Sequence, residues 1–213
     1  MTAEILRTTW EHVLIVLAAV SVAVLVGVPA GVWCTRNAHL SRVLLKSIDA
    51  IQTIPSLALF GFLIPVPFLG GIGMRTAIVA LILYSLLPIV RNTFLGIRGV
   101  DPVVREAGLA MGLTRRQLLR EVELPLALPS IVAGVRIATV TGIGVATIAA
   151  AVGGGGLGTF IFRGVAMVDT RLILAGALPA AALALLADLV FTVVERRILP
   201  AGSTHRTDRR RRA

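Results

Sequence analysis

Three uncharged runs set the terms for this chain: 23 residues from Val13 to Thr35, 25 from Ala50 to Met74, and 26 from Ile137 to Phe162. A bilayer core is about 30 Å thick and a helix rises about 1.5 Å per residue, so roughly 20 apolar residues make one crossing. Two shorter runs, 76–90 and 172–187, reach that length by extending past one charge each, Arg91 and Asp188. The apolar residues, 56% of the chain, come in runs rather than in alternation, which excludes an ordinary soluble domain. The pattern predicts an all-α membrane protein with five transmembrane helices, or six. They fall at about 13–34, 48–68, 76–94, 130–152 and 172–194, in one membrane domain over 1–200. The first run is longer than a signal-peptide core and has no small-x-small cleavage pattern after it, so it reads as a retained helix.

The net charge of +10 raises the possibility of a nucleic-acid partner, and its placement argues against one. With an outside N-terminus and five alternating helices, 16 of the 21 Lys and Arg fall in inside segments and four in outside ones, Arg136 standing at a helix start. Enrichment of Lys and Arg on the cytoplasmic side sets membrane orientation, so the basic excess is a topology signal and the C-terminus is expected in the cytoplasm. The tail 201–213 is expected to be a disordered basic end near anionic headgroups.

Pro55, Pro65 and Pro67 in the second run predict a break or kink, which a membrane helix tolerates only where neighbours satisfy the freed carbonyls. The fourth helix is rich in Gly, Ala and Thr, a composition that lets helices approach closely. Gly153, Gly154, Gly155 and Gly156 are either a flexible turn or a hinge near the outer mouth of a pathway, followed by a short re-entrant or interfacial segment. They are not a phosphate loop, because the only lysine, Lys46, has no glycine loop before it. Cys34 is the single cysteine, so no internal disulfide or cysteine-based metal site is available. His12, His39 and His205 are far apart and are read as lying outside the helices. No metal or catalytic cluster is expected.

The stretch 98–129 interrupts the apolar pattern with charges of both signs. Asp101-Pro102 has the form of an N-cap followed by proline at the first helical position. Gly112 suits the left-handed position that ends a helix, and Thr114-Arg115-Arg116-Gln117 has the spacing of a capping box. Pro125 is expected to close a second short helix. The loop therefore reads as two short helices joined at Gly112, with Leu118, Leu119 and Val122 as an apolar ridge. Mixed charge beside such a ridge suits a protein partner better than an anionic membrane surface.

Glu106-Ala107-Gly108, three residues, Gly112, nine residues, then Val122-Glu123-Leu124-Pro125 resembles the EAA loop of permease subunits of bacterial ATP-binding-cassette importers. Gly108 stands where the pattern has its second alanine, and Val122 where it has isoleucine. "QTIPSLALFGFLIP", "YSLLPIVRNTFLGI", "GGGGLGTFIFRG" and "ILAGALPAAALALLADLVF" resemble the branch that imports quaternary amines such as glycine betaine, choline and carnitine. The resemblance covers about 13–200 and implies the type I importer permease fold (MetI-like) in the bacterial inner membrane. It implies a coupling loop, carried by Glu106, Ala107, Gly108, Gly112, Leu124 and Pro125, that docks on a cytoplasmic ATPase. It also implies two such ATPases using ATP and Mg, a second permease subunit (a copy or a paralogue), and a separate extracytoplasmic binding protein. This chain itself is expected to bind no cofactor and to hydrolyse nothing.

An ionisable residue within a membrane span is a functional candidate by default. Tyr84, Arg91, Arg136 and Asp188 are the candidates for the translocation path. For Asp188, pairing with Arg136 or Arg91 is the stronger reading. A cation–π cage for a quaternary ammonium finds too few aromatics, 5% of the chain. An importer for methionine or another amino acid, a membrane enzyme and a non-transporting scaffold stand as alternatives.

Overall fold

The uncharged runs become long helices in the computed structural model, which describes residues 2–198; the expected basic tail lies outside the described residues. Helix α1 (Thr2–Arg36) is 35 residues long and starts well before residue 13. Its early charges are accommodated locally: Arg7 pairs with Glu11 one turn on at 3.5 Å, and Glu4 meets Arg163 at 3.4 Å. Thr8 and His12 are buried, so the polar start of α1 belongs to the bundle. His12 and His39 lie inside helices, contrary to the sequence reading, and the His12 Nε2 donates to the Ile143 carbonyl at 3.0 Å. The chain's two tryptophans, Trp10 and Trp33, are 63% and 66% exposed on this helix. Twenty-three positions separate them, about 35 Å of helix, close to the spacing of the aromatic belts at the two faces of a bilayer.

The expected helix 48–68 is two helices, α2 (Ala38–Thr53) and α3 (Ser56–Leu63), bent by 102° between Ser41–Thr53 and Ser56–Leu63. Pro55 cannot donate a backbone hydrogen bond, and the Ile54 carbonyl just before it accepts instead from the Tyr84 hydroxyl. The Gln52 side chain donates to the Tyr84 carbonyl at 2.9 Å. Pro65 and Pro67 fall in the turn after α3 rather than in a helix. Tyr84→Phe is expected to lower stability by about 1 kcal/mol, the net worth of one hydrogen bond to a partly buried acceptor. Thermal unfolding of the detergent-purified protein measures it, and no change would mean that the hydroxyl does not hold the break.

After the turn come α4 (Met74–Arg98), α5 (Pro102–Ala110) and α6 (Arg115–Gln117). A widened π-turn, Leu118–Glu123, joins α6 without a break to α7 (Leu124–Ile148), which ends in a 3₁₀ turn at Ala149–Val152. Helices α8 (Gly158–Met167) and α9 (Thr170–Ile198) complete the described chain. Four spans are long and apolar enough to cross a membrane, five if the bent α2–α3 pair is one. No strand occurs among the described residues.

Helices α1, α4 and α7 form the packed centre, with Ile15, Phe60, Leu81, Ile143 and Ala146 in one buried cluster. In a bilayer the apolar effect does not by itself pull helices together, so close contact depends on small residues. At Gly134 of α7, a Cβ would lie 2.7 Å from both Asn92 Cβ and the Pro88 carbonyl, so α4 and α7 pack backbone against backbone. The small-residue composition of the fourth predicted helix thus marks its central place. Helix α9 buries only Gly176 and Ala180 and packs on α7 and α8.

Candidate functional site

The interrupting loop is built by its own caps. Asp101 Oδ1 accepts from the Val103 N–H at 2.9 Å, and Pro102 takes the first turn of α5. At the other end the Gly112 N–H donates to the Leu109 carbonyl at 3.0 Å, and the Leu113 N–H to the Gly108 carbonyl at 3.1 Å. This paired closure of a helix end requires a left-handed residue, and Gly112 has φ +89°. The capping box forms as expected: Thr114 Oγ1 accepts from the Gln117 N–H at 3.3 Å, while Gln117 Oε1 accepts from the Thr114 N–H at 2.9 Å.

Pro125 does not end the second helix, which corrects the sequence reading. Arg115–Val152 runs as one span. The π-turn is the physical reason, since the Leu124 N–H reaches back to the Leu119 carbonyl. A widened turn of this kind gives the following proline ring space that a regular α-turn lacks. The apolar ridge is also corrected. Leu118 is buried, and Leu119 and Val122 are partly buried, so that ridge packs within the chain. Gly108, the departure from the family pattern, makes the room: a Cβ there would lie 2.7 Å from Leu118 Cδ1.

The apolar groups left exposed are on and beside α5, where Val103, Leu109 and Met111 surround exposed Glu106 and Ala107. Glu106 makes no ion pair among the described residues. The result is a small apolar surface with one unpaired acid, held rigid by caps at both ends. Leu124 and Pro125 are the first two residues of α7, inside the continuous span.

Beneath the loop, Glu123 is buried with Arg36 Nη2 at 3.2 Å from one oxygen and Arg105 Nε at 3.3 Å from the other. Arg105 also donates to the Ile97 carbonyl near the end of α4. The sequence reading passed over this cluster. The signal was present in the row Leu119, Glu123, Ala127, Ile131, where one acid interrupts an apolar stripe of period four.

The path candidates divide into two groups. Tyr84 and Arg91 line a cavity of about 410 Å³ between α2, α4 and α7, with Gln52, Asn92 and Thr141. Arg91 stands 3.8 Å from Asp49, both half-exposed. Arg136 and Asp188 lie elsewhere, joining α7 to α9 at 2.7 Å, with Glu195 on the same guanidinium at 2.9 Å. Asp188 thus makes the pairing that its sequence position suggested. A larger groove of about 670 Å³ between α1, α7 and α9 is lined mainly by aliphatic side chains such as Val20, Leu183 and Leu186. The smaller has the more polar lining, whereas the larger has only His12, Ser21 and Thr139 among its aliphatic side chains, so the smaller is better suited to orient a polar solute.

Gly153–Gly156 form a packed turn. Gly153, Gly155 and Gly156 have φ of +76°, +78° and +73°. A Cβ on Gly154 would lie 2.8 Å from the Ala149 carbonyl, and one on Gly156 would lie 2.9 Å from His12 Nδ1. At these glycines α1 and the end of α7 come together over a tight turn. Among the described residues, no group of three or more His, Cys, Asp and Glu could hold a metal ion.

The model of the family "binding-protein-dependent transport system inner membrane component" matches residues 27–200. The choline transport system permease protein OpuBB of Bacillus subtilis (strain 168) is 47% identical over 199 residues, spanning 93% of this chain and 90% of that protein. The osmoprotectant import permease protein OsmW of Salmonella typhimurium is 43% identical over 196 residues, spanning 91% of each. Among solved structures, a chain of the inward-facing MetNI methionine ABC transporter matches with a TM-score of 0.85 and 26% identity, covering 94% of this chain and 98% of that one.

Proposed function

Because the chain belongs to the family of binding-protein-dependent transport system inner membrane components, we propose that it moves quaternary-amine osmoprotectants as the permease subunit of an ATP-driven importer. Choline, glycine betaine and carnitine are the substrates in view. The chain is a multi-pass membrane protein and a transport subunit, not an enzyme. ATP and Mg act on partner ATPases, two to a complex, and a receptor outside the bacterial inner membrane delivers the substrate to a pair of permeases. The loop end of the bundle, with Arg36 and α5, faces the cytoplasm, as the distribution of Lys and Arg requires. Exposed Glu106 among Val103, Leu109 and Met111 carries the docking part of this reading.

The cavity of Gln52, Tyr84, Arg91, Asn92 and Thr141 is the stretch of path that suits a small polar solute. Arg91 and nearby Asp49 give opposite charges for the two ends of a zwitterion such as glycine betaine or carnitine. The quaternary-amine reading is preferred to the methionine one because the relatives at 43–47% identity are named for choline or osmoprotectants, while the methionine transporter matches at 26%. Uptake of labelled glycine betaine, choline and methionine by the importer reconstituted in proteoliposomes tests this. Transport of methionine with neither amine would overturn the substrate assignment.

Glu106→Lys is expected to weaken ATPase binding by about 2 kcal/mol, the size of an interface hot spot, with Glu106→Gln losing less. The amount of ATPase co-purifying with the permease is the measurement. Undiminished co-purification and uptake in the lysine variant would remove Glu106 from the interface.

A further inference from the structure

Glu123, 5% exposed, is the one acid among the buried described residues. Its carboxylate is shared between two arginines from distant parts of the chain. Arg36 is the last residue of α1, and Arg105 sits on α5 beside the exposed Glu106. Neither arginine pairs with another acid among the described residues. Arg105 further holds the carbonyl of Ile97, next to the end of α4. Glu123 itself closes the π-turn at the root of α7. The ends of the three central helices and the exposed loop helix thus meet at one carboxylate.

Stability alone is a poor reason for this arrangement. Replacing a buried ion pair with apolar residues of similar volume is often neutral or favourable, and the row Leu119, Ala127, Ile131 already packs as an apolar stripe. What charge adds is direction: the hydrogen-bonded Arg36 pair and the ionic contact of Arg105 each fix one helix relative to another. Neighbouring positions on α5 then divide the work. Glu106 faces outward, and Arg105 faces inward to the carboxylate. A π-turn at this point is a further sign of specialised use, because such turns cost regular hydrogen bonding and recur at functional sites.

We infer that Glu123 is a positioning residue for energy coupling: held by Arg36 and Arg105, it makes α5 move as one body with the ends of α1, α4 and α7. A displacement imposed on α5 then reaches the spans instead of being absorbed by the loop. The inference rests on the importer reading for its ATPase partner, but not on the identity of the substrate.

The test uses the whole importer in proteoliposomes, with ATP hydrolysis and uptake of labelled glycine betaine and choline measured together. Glu123→Gln and Arg36→Ala are expected to raise the ATP consumed per substrate moved by about tenfold, within the usual range for coupling between two sites. Arg36→Lys should stay near the parent ratio, and the permease-to-ATPase ratio of the purified complex should not change. Arg36 is the more exposed partner, so its variants decide the matter if Glu123→Gln does not assemble. In a Cys34→Ala background, spin labels at the exposed positions Val104, on α5, and Val26, on α1, should keep one distance on ATP addition, and Glu123→Gln or Arg36→Ala should broaden it. A parent importer that moves neither amine would sink the substrate reading alone, since the label distances still report on the clamp. Parent-like ATP ratios and distances in both variants would overturn the inference. So would activity that falls only in proportion to lost complex.

Discussion

Gly112→Pro is expected to cut coupled uptake by about a hundredfold, the upper end of a coupling free energy between sites, while the permease stays in the membrane. Gly112 holds φ at +89°, and a proline ring fixes φ near −65°. The same change removes the N–H that donates to the Leu109 carbonyl, and a proline pushes the residue before it, Met111, from its ψ of 0° toward extended values. The closure of α5 therefore fails and Glu106 loses its fixed direction. Gly112→Ala is the matched control. No atom lies within 4 Å of a Cβ there, so alanine meets only the left-handed penalty of about 1–2 kcal/mol. It should retain much of the uptake. Membrane abundance by immunoblot separates lost coupling from lost protein, and normal uptake in the proline variant would show that the bend at Gly112 does not matter.

Gly158→Ala should give a severe loss of stability. Gly158 begins α8 where it folds back on the end of α7, and a Cβ would fall 1.8 Å from the Thr147 carbonyl oxygen and 2.7 Å from its carbon. These are backbone atoms with no rotamer to escape into, so the two helices must separate. Overpacking against backbone belongs among the severe single changes, and about 3 kcal/mol or more is expected, read as a fall of about 10 °C in the unfolding temperature. Gly144→Ala, with nothing within 4 Å of its added carbon, should leave that temperature nearly unchanged. Equal temperatures for the two variants would mean that the contact between α8 and α7 is loose.

The parts of this protein legible in the sequence are those fixed by neighbouring residues. Asp101, Gly112 and the Thr114–Gln117 pair act within one turn, so their caps could be read from spacing. The same holds for the small residues that allow α7 its central place. Where a distant partner decides, local reading fell short. The proline break was visible at Pro55, but the 102° bend depends on Tyr84, 30 positions on, to hold the Ile54 carbonyl. The first helix was read from residue 13, but it starts at Thr2, where Glu4 meets Arg163 from 159 positions away. Pro125 read as a stop because the π-turn ahead of it leaves no residue-type mark. Glu123 was visible as an acid in an apolar row, yet its meaning came from Arg36, 87 positions away. The function itself was legible through the spacing of the loop, whereas the polar cavity was not, since Gln52, Tyr84 and Thr141 come from three separate helices.

Trp10 and Trp33 bear on how α1 can move. Each indole prefers the boundary between headgroup and hydrocarbon, and the two sit about 35 Å apart on one unbroken rod. Sliding α1 along its own axis by one turn would drive one ring into the hydrocarbon and lift the other into water, so both ends resist the same displacement. Tilting or rotating the rod leaves both rings near their preferred depth. The bilayer thus lets the helix that ends at Arg36 lean together with the helices packed on it, but not act as a piston.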